Sequence, residues 1–228
     1  DDCVLIGSGA GQGASEQSHS SNTAVGYASL NVITTGSSNV AMGMNSGRLL
    51  TSGSENVFIG KDSMYDANTA TGVVAVGAES AYNITSASET VAVGKQALYT
   101  TSTAGANTAV GYQALKLNTV ANNTAVGHSA GLNTTGTLNA YFGDGAGLGA
   151  SGADAYNVGV GARALLAITS GASNVAIGYQ AGTALTSGTG HVIIGRNAGD
   201  AITTMTDTVL VGYNAGSSLN NTDANGTT

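Results

Sequence analysis

Few residues in this chain could carry acid–base, nucleophilic or metal chemistry, and their spacing holds them apart. The three histidines, His19, His128 and His191, take different positions relative to the periodic signal described below. They are expected to scatter, and no cysteine joins them as a second zinc ligand. Cys3 stands alone, so the chain has no internal disulfide, and it reads as a buried repeat residue. Glycoside hydrolysis needs two carboxyls converged at a defined separation. Asp62, Asp144 and Asp200 lie near strand ends or turns with no partner at a repeated offset, and read as solvated surface charge.

Two glycine runs, Gly7–Gly13 and Gly143–Gly149, invite a phosphate-loop reading. Neither follows a strand and opens a helix in a βαβ unit, as such loops must. Gly143-Asp144-Gly145 with Asp154 has the composition of a calcium turn in nonapeptide β-helix repeats, but the period differs and the Asp does not recur. The expectation is therefore a protein that is not an enzyme, with no cofactor and no resident metal. One surface pattern is suggestive of binding. Tyr27, Tyr112, Tyr179 and Tyr213 share one register position with Lys61, Lys95 and Arg196. If that register faces solvent, it forms a column able to stack on sugar rings and bond their hydroxyls.

The frame that must position this column is a repeat covering nearly the whole chain. A glycine preceded by an apolar residue recurs at Gly7, Gly26, Gly43, Gly60, Gly77, Gly94, Gly111, Gly127, Gly143, Gly161, Gly178, Gly195 and Gly212, at intervals of 16 to 19 and most often 17. Thr or Val stands three residues earlier in most units, giving a short β-branched segment that reads as a strand. The residue just before the glycine, Val76, Val93 or Val110 for instance, is expected to point inward. The glycine itself reads as the corner or close contact ending each strand. Three residues after it stands only Ala or Ser, which implies close approach of another backbone. Asn recurs four residues before it in eight of thirteen units, placed to bond local backbone or to form a ladder between coils.

A 17-residue period is too short for helical-pair repeats and suits one coil of a β-solenoid with two short strands and two turns. The expected architecture is all-β, a parallel β-roll of about 13 coils over residues 1–216, with 217–228 as a tail or the start of another segment. At about 4.8 Å per coil it would form a rod about 58 Å long. So narrow a coil encloses little apolar area, so further copies are expected to complete the core, along an edge such as Ala97-Leu98, Ala114-Leu115, Ala181-Gly182 and Ala198-Gly199.

Composition narrows the function classes. The chain has 35 Gly, no Pro, no Trp, 42% hydrophobic residues and only 8% charged ones, which excludes both disorder and collagen. Thirteen acids against six bases leave a net charge of −7, disfavouring a nucleic-acid partner. No apolar run approaches the roughly eighteen residues of a membrane span, so no membrane insertion is expected. An opening at Asp1-Asp2 rather than Met reads as a processed or partial chain.

The segments Asn107–Leu115 (NTAVGYQAL), Asn123–Gly131 (NTAVGHSAG) and Asn174–Gly182 (NVAIGYQAG) resemble the NTAxGYQAL repeats of bacteriophage tail-fibre-like and related bacterial surface proteins. They are also similar to the NSVAIG repeats in the left-handed parallel β-roll heads of trimeric autotransporter adhesins. The resemblance spans about residues 2–216. It implies a left-handed homotrimer of parallel rolls, located extracellularly on a cell surface or virion, that binds a cell-surface glycan or protein or acts as a spacer. A self-assembling end-to-end filament or sheath is the alternative. An ice-binding solenoid is disfavoured because Thr opens the strand in only a few units, such as Thr23, Thr108 and Thr124.

Overall fold

The computed structural model describes residues 2–13, 18–152 and 154–219. The chain forms two compact units, Asp1–Thr119 and Val120–Thr228. Of the expected tail, 220–228 lies outside the described residues.

The first unit carries β1 (Val4–Ile6), β2 (Thr23–Val25), β3 (Val40–Met42), β4 (Val57–Ile59), β5 (Val74–Val76), β6 (Val91–Val93) and β7 (Thr108–Val110). Each pairs in parallel with the next, in sequence order and in register, so that Val76 lies against Val93 and Val93 against Val110. The second unit carries β8 (Thr124–Val126), β9 (Ala140–Phe142), β10 (Val158–Val160), β11 (Val175–Ile177), β12 (Val192–Ile194) and β13 (Val209–Val211), paired the same way. The fold is a parallel β-solenoid with one repeat per coil and no helix among the described residues.

Why the chain turns where it does follows from the repeat glycine. Gly60 sits at φ +133°, and a Cβ added there would lie 2.6 Å from the carbonyl oxygen of Gly77 in the next coil. Only glycine both adopts this backbone and admits the neighbour. The corner is then closed by a bond between coils, Gly77 N–H donating to Ile59 O at 2.7 Å. Each coil holds one strand rather than the expected two. The β-branched segment supplies only three residues, and the polar half crosses between coils by bends, such as Thr34 and Thr51 donating their amides to Thr51 O and Asn68 O.

Asn forms the expected ladder in each unit. Asn39 donates its amide NH₂ to Gly53 O at 3.0 Å and accepts at Oδ1 from Asn56 N–H and Asn56 Nδ2. Asn157 and Asn174 repeat the arrangement in the second unit. These buried amides satisfy backbone groups that the narrow interior would otherwise leave without partners.

The inward residue of each strand is the middle one, which corrects the expected facing. Ala75, Ala92 and Ala109 are buried, whereas Val76, Val93 and Val110 lie on the outer face and are only partly covered. Alternation along a strand forces this: with Asn and the middle residue inside, the residues on either side of the middle one must face out. The small Ala/Ser column is buried inside the chain as well. Ser29 Oγ donates to Ala41 O and Ser46 Oγ to Phe58 O, both at 3.0 Å. Ala97-Leu98 and Ala114-Leu115 are therefore covered by their own chain and present no edge to a partner.

Core volume is shared between the middle strand residue and the residue four after the glycine. Leu30, Leu98 and Leu115 fill the space left by alanines at strand centres. Where the strand centre is large, as at Phe58, the facing position is Gly47, and a Cβ there would meet the Phe58 ring at 2.7 Å. Gly47→Leu should overpack and Phe58→Ala should leave a cavity, costing about 1–3 and 3–5 kcal/mol respectively. The double variant should recover at least about 2 kcal/mol relative to the sum, since Leu98 and Leu115 already hold positive φ at this register. Thermal and denaturant melts of the four chains check this.

Candidate functional site

The register right after the corner glycine faces water, because the chain turns there and the strand face is left behind. In the first unit Tyr27 is 61% exposed and Tyr112 43%, and Lys61 and Lys95 are exposed. In the second, Arg196 lies between two exposed rings, its guanidinium carbon 5.8 Å from the centroids of both Tyr179 and Tyr213. The seventeen-residue spacing places Tyr, Arg and Tyr on successive coils. Such a clamp holds the guanidinium plane by cation–π attraction and leaves its edge donors free to meet an acceptor. Beside it, Asn197 Nδ2 donates to Asn214 Oδ1 at 3.2 Å.

A second aromatic column escaped the sequence reading. Tyr65, Tyr82 and Tyr99 stack with centroids 5.2 and 5.1 Å apart and planes within 4° and 16°. Arg48 caps one end, 5.4 Å from the Tyr65 ring and bonded to its hydroxyl at 2.7 Å, and Lys116 lies 5.9 Å from the Tyr99 ring. All five stand 17 apart, five residues after a corner glycine, which is the signal that could have revealed them. Their faces are spent on one another, so this column offers hydroxyls and ring edges rather than stacking platforms. Desolvation, then the charge of Asp66, raises the Tyr82 phenol above its usual range.

Two open depressions border the exposed register. One in the first unit, about 480 Å³, is lined by Gln12, Tyr27, Asn31 and Arg48. One in the second, about 280 Å³, is lined by His128, Asp144, Arg163 and Leu166, with His128 Nδ1 2.9 Å from Asp144 Oδ1.

The groups weighed for chemistry stand apart. His19 Nδ1 lies 3.7 Å from Cys3 Sγ, His128 meets Asp144, and His191 is buried in the Asn register with Nε2 2.7 Å from Met205 O. Asp154 is not beside Asp144 in a turn but inside the coil, accepting from the Tyr141 hydroxyl at 2.9 Å. Burial raises the Asp154 carboxyl and the Tyr141 phenol. Among the described residues no group of three His, Cys, Asp or Glu is gathered to hold a metal ion. No helix there is long and apolar enough to cross a membrane. No family model, curated protein or solved structure matches the chain.

His191 gives this unit a pH dependence whose sign is fixed. Burial lowers its pKa below the ordinary 6.5, so its contribution to stability is full above that value and is lost as pH falls from there through the lower folded-state value. Asp154 runs the other way: its raised pKa contributes stability below the ordinary 3.8 that is lost as pH rises through the folded-state value. His191→Asn should restore the ladder, accepting from Thr208 N–H and donating to Met205 O as its neighbours do. Melting curves should show a larger gain at pH 5 than at pH 8; a gain independent of pH would contradict the assignment.

Proposed function

We propose that this chain is a non-enzymatic segment of an extracellular fibre or adhesin, a stiff, left-handed, homotrimeric stack of coils that serves attachment to a cell surface. The observation that carries this reading is the outer strand face. Every strand turns its first and third residues outward, and those residues are Val, Ile, Met, Phe, Ala or Thr without a single charge in either unit. Ile59 is 39% exposed, Phe142 40% and Ile177 39%. An unbroken apolar face of this kind, on a chain with a net charge of −7, is an association surface rather than a solvent surface. Further copies of the chain cover it and complete the core that one narrow coil cannot.

Attachment falls to the exposed column after the corner glycine, with the Tyr179–Arg196–Tyr213 clamp as its best-formed part. Its chemistry suits a glycan or protein surface carrying hydroxyl and carboxylate acceptors. Three copies multiply weak contacts, so avidity rather than any one site sets the strength.

Attachment to cells or to immobilised glycans tests the reading. Tyr179→Ala/Tyr213→Ala should weaken attachment at unchanged oligomeric mass. Val93→Glu, which places a charge on the strand face at little cost to the isolated coil, should dissociate the assembly and lower attachment about a hundredfold or more through lost avidity. Undiminished attachment by both variants would contradict the proposal.

A further inference from the structure

On two coils of the first unit the rims of the apolar face are charged in a matched way. All six bases of the chain lie one to five residues after a corner glycine. In the first unit the position just past each corner glycine carries exposed Lys at Lys61 and Lys95, and Ser, Tyr, Met or Ala at Ser8, Tyr27, Met44, Ala78 and Tyr112. The position two residues before each strand carries an exposed acid at Asp2, Glu55 and Glu89, and Ser, Gly or Ala at Ser21, Ser38, Gly72 and Ala106. Both Lys fall on coils that also carry an acid. The coil with Lys61 is the coil with Glu55, the coil with Lys95 is the coil with Glu89, the coil of β1 carries Asp2 with Ser8, and the coils of β2, β3, β5 and β7 carry neither charge.

Within the chain these charges are at opposite ends of a strand and do not meet. Among the described residues Glu55, Glu89 and Lys95 form no ion pair, and Lys61 reaches only Asp62, at 3.5 Å with its own side chain 60% exposed. Resting on the homotrimer proposed above, we infer that Lys61 and Lys95 of one copy pair with Glu55 and Glu89 of the next, fixing the copies parallel and level with one another. Copies related by rotation about an axis along the coil stack bring the rim past the strand of one against the rim before the strand of its neighbour, at equal height. A twofold axis running across the stack along the strands sets Lys rim against Lys rim and acid against acid, which costs association.

The division of labour is that of an interface core and rim. The outer face of the first unit, seven strands about 4.8 Å apart and three residues wide, is a plane of roughly 290 Å² before side-chain relief. That is already the scale of the largest apolar patch on an ordinary monomer, so it supplies the affinity. Exposed ion pairs add little energy, but they decide orientation and register. The apolar face alone would slide: Val, Ala and Ile repeat so regularly that a slip by one coil leaves it nearly unchanged. With Lys61 and Lys95 two coils apart and an uncharged coil between, a slip by one coil opposes each Lys to Gly, Ser or Ala and each Glu to Met, Ala or Tyr, and the ion pairs are lost. Lys61 and Lys95 therefore belong to the seam, which leaves attachment to the aromatic members of the column and Arg196.

Charge exchange tests this by sedimentation equilibrium, with circular dichroism as the folding check. Lys61→Glu/Lys95→Glu and Glu55→Lys/Glu89→Lys should each weaken assembly roughly tenfold or more, and the fourfold exchange in one chain should return it close to the unmodified value. Raising sodium chloride should weaken the unmodified assembly more than the fully apolar Lys61→Met/Lys95→Met/Glu55→Gln/Glu89→Gln chain, a comparison that needs no like-charge variant to fold. A trimeric unmodified chain whose assembly ignores these exchanges, or a fourfold exchange as weak as either pair, overturns the seam assignment alone. A folded, monomeric unmodified chain overturns the homotrimer and the seam with it.

Discussion

Within each unit, a corner glycine followed by another coil lies so close to the carbonyl of that coil's corner glycine that no side chain fits between them. Everything else in the fold follows from that contact. It sets where each coil turns, and the amide-to-carbonyl bonds from Gly43 N to Val25 O and Gly94 N to Val76 O repeat it at 2.8 and 2.7 Å. Because the turn recurs at the same place, equal positions stand above one another. A stack held in register in this way needs only one residue type per position to build a continuous feature. The Asn ladder, the Tyr65–Tyr82–Tyr99 stack and the exposed column are three such features. None would exist if neighbouring coils were free to slip by a residue.

The same closeness makes the coil narrow. Its interior takes small strand centres with a leucine opposite, or a large strand centre with a glycine opposite, and has no room for β-branched residues on both sides of each strand centre. Those residues are turned outward, and each unit acquires an apolar strand face that its own chain leaves partly exposed. Polar groups inside are tied to backbone through Asn and Ser, and burial disfavours protonation of His191 while favouring it at Asp154 and Tyr141. The tight corner is thus the origin both of the coil's own packing and of the apolar face on which the proposed association rests.

Much of this was legible in the residues. The glycine period located all thirteen strands, and β-branched residues two positions apart marked their extent. Asn at one offset marked a ladder, and the Tyr/Lys/Arg register was correctly read as a candidate for exposure. Facing was not legible, because Val-Ala-Val can be drawn with either the valines or the alanine inside. The decision comes from the volume the corner leaves, which is a property of two coils together. The second strand per coil was over-read for a related reason: Thr- and Ser-rich segments can pair or bend, and here bends suffice. The stacked tyrosines at Tyr65, Tyr82 and Tyr99 were visible at their spacing but lie in a turn, where periodic side chains were not sought. The agreement of Glu55 with Lys61 and of Glu89 with Lys95 acquires meaning only once the face between them is known to point outward.

The central claim is that the outward strand face is buried by copies of the chain itself. Sedimentation equilibrium of the unmodified chain over a wide concentration range measures this most directly. The account predicts a single folded species at three times the 22.1 kDa chain mass, dissociating only on dilution. A folded species that stays at 22.1 kDa at every concentration, with its valine and isoleucine face left in water, would contradict it.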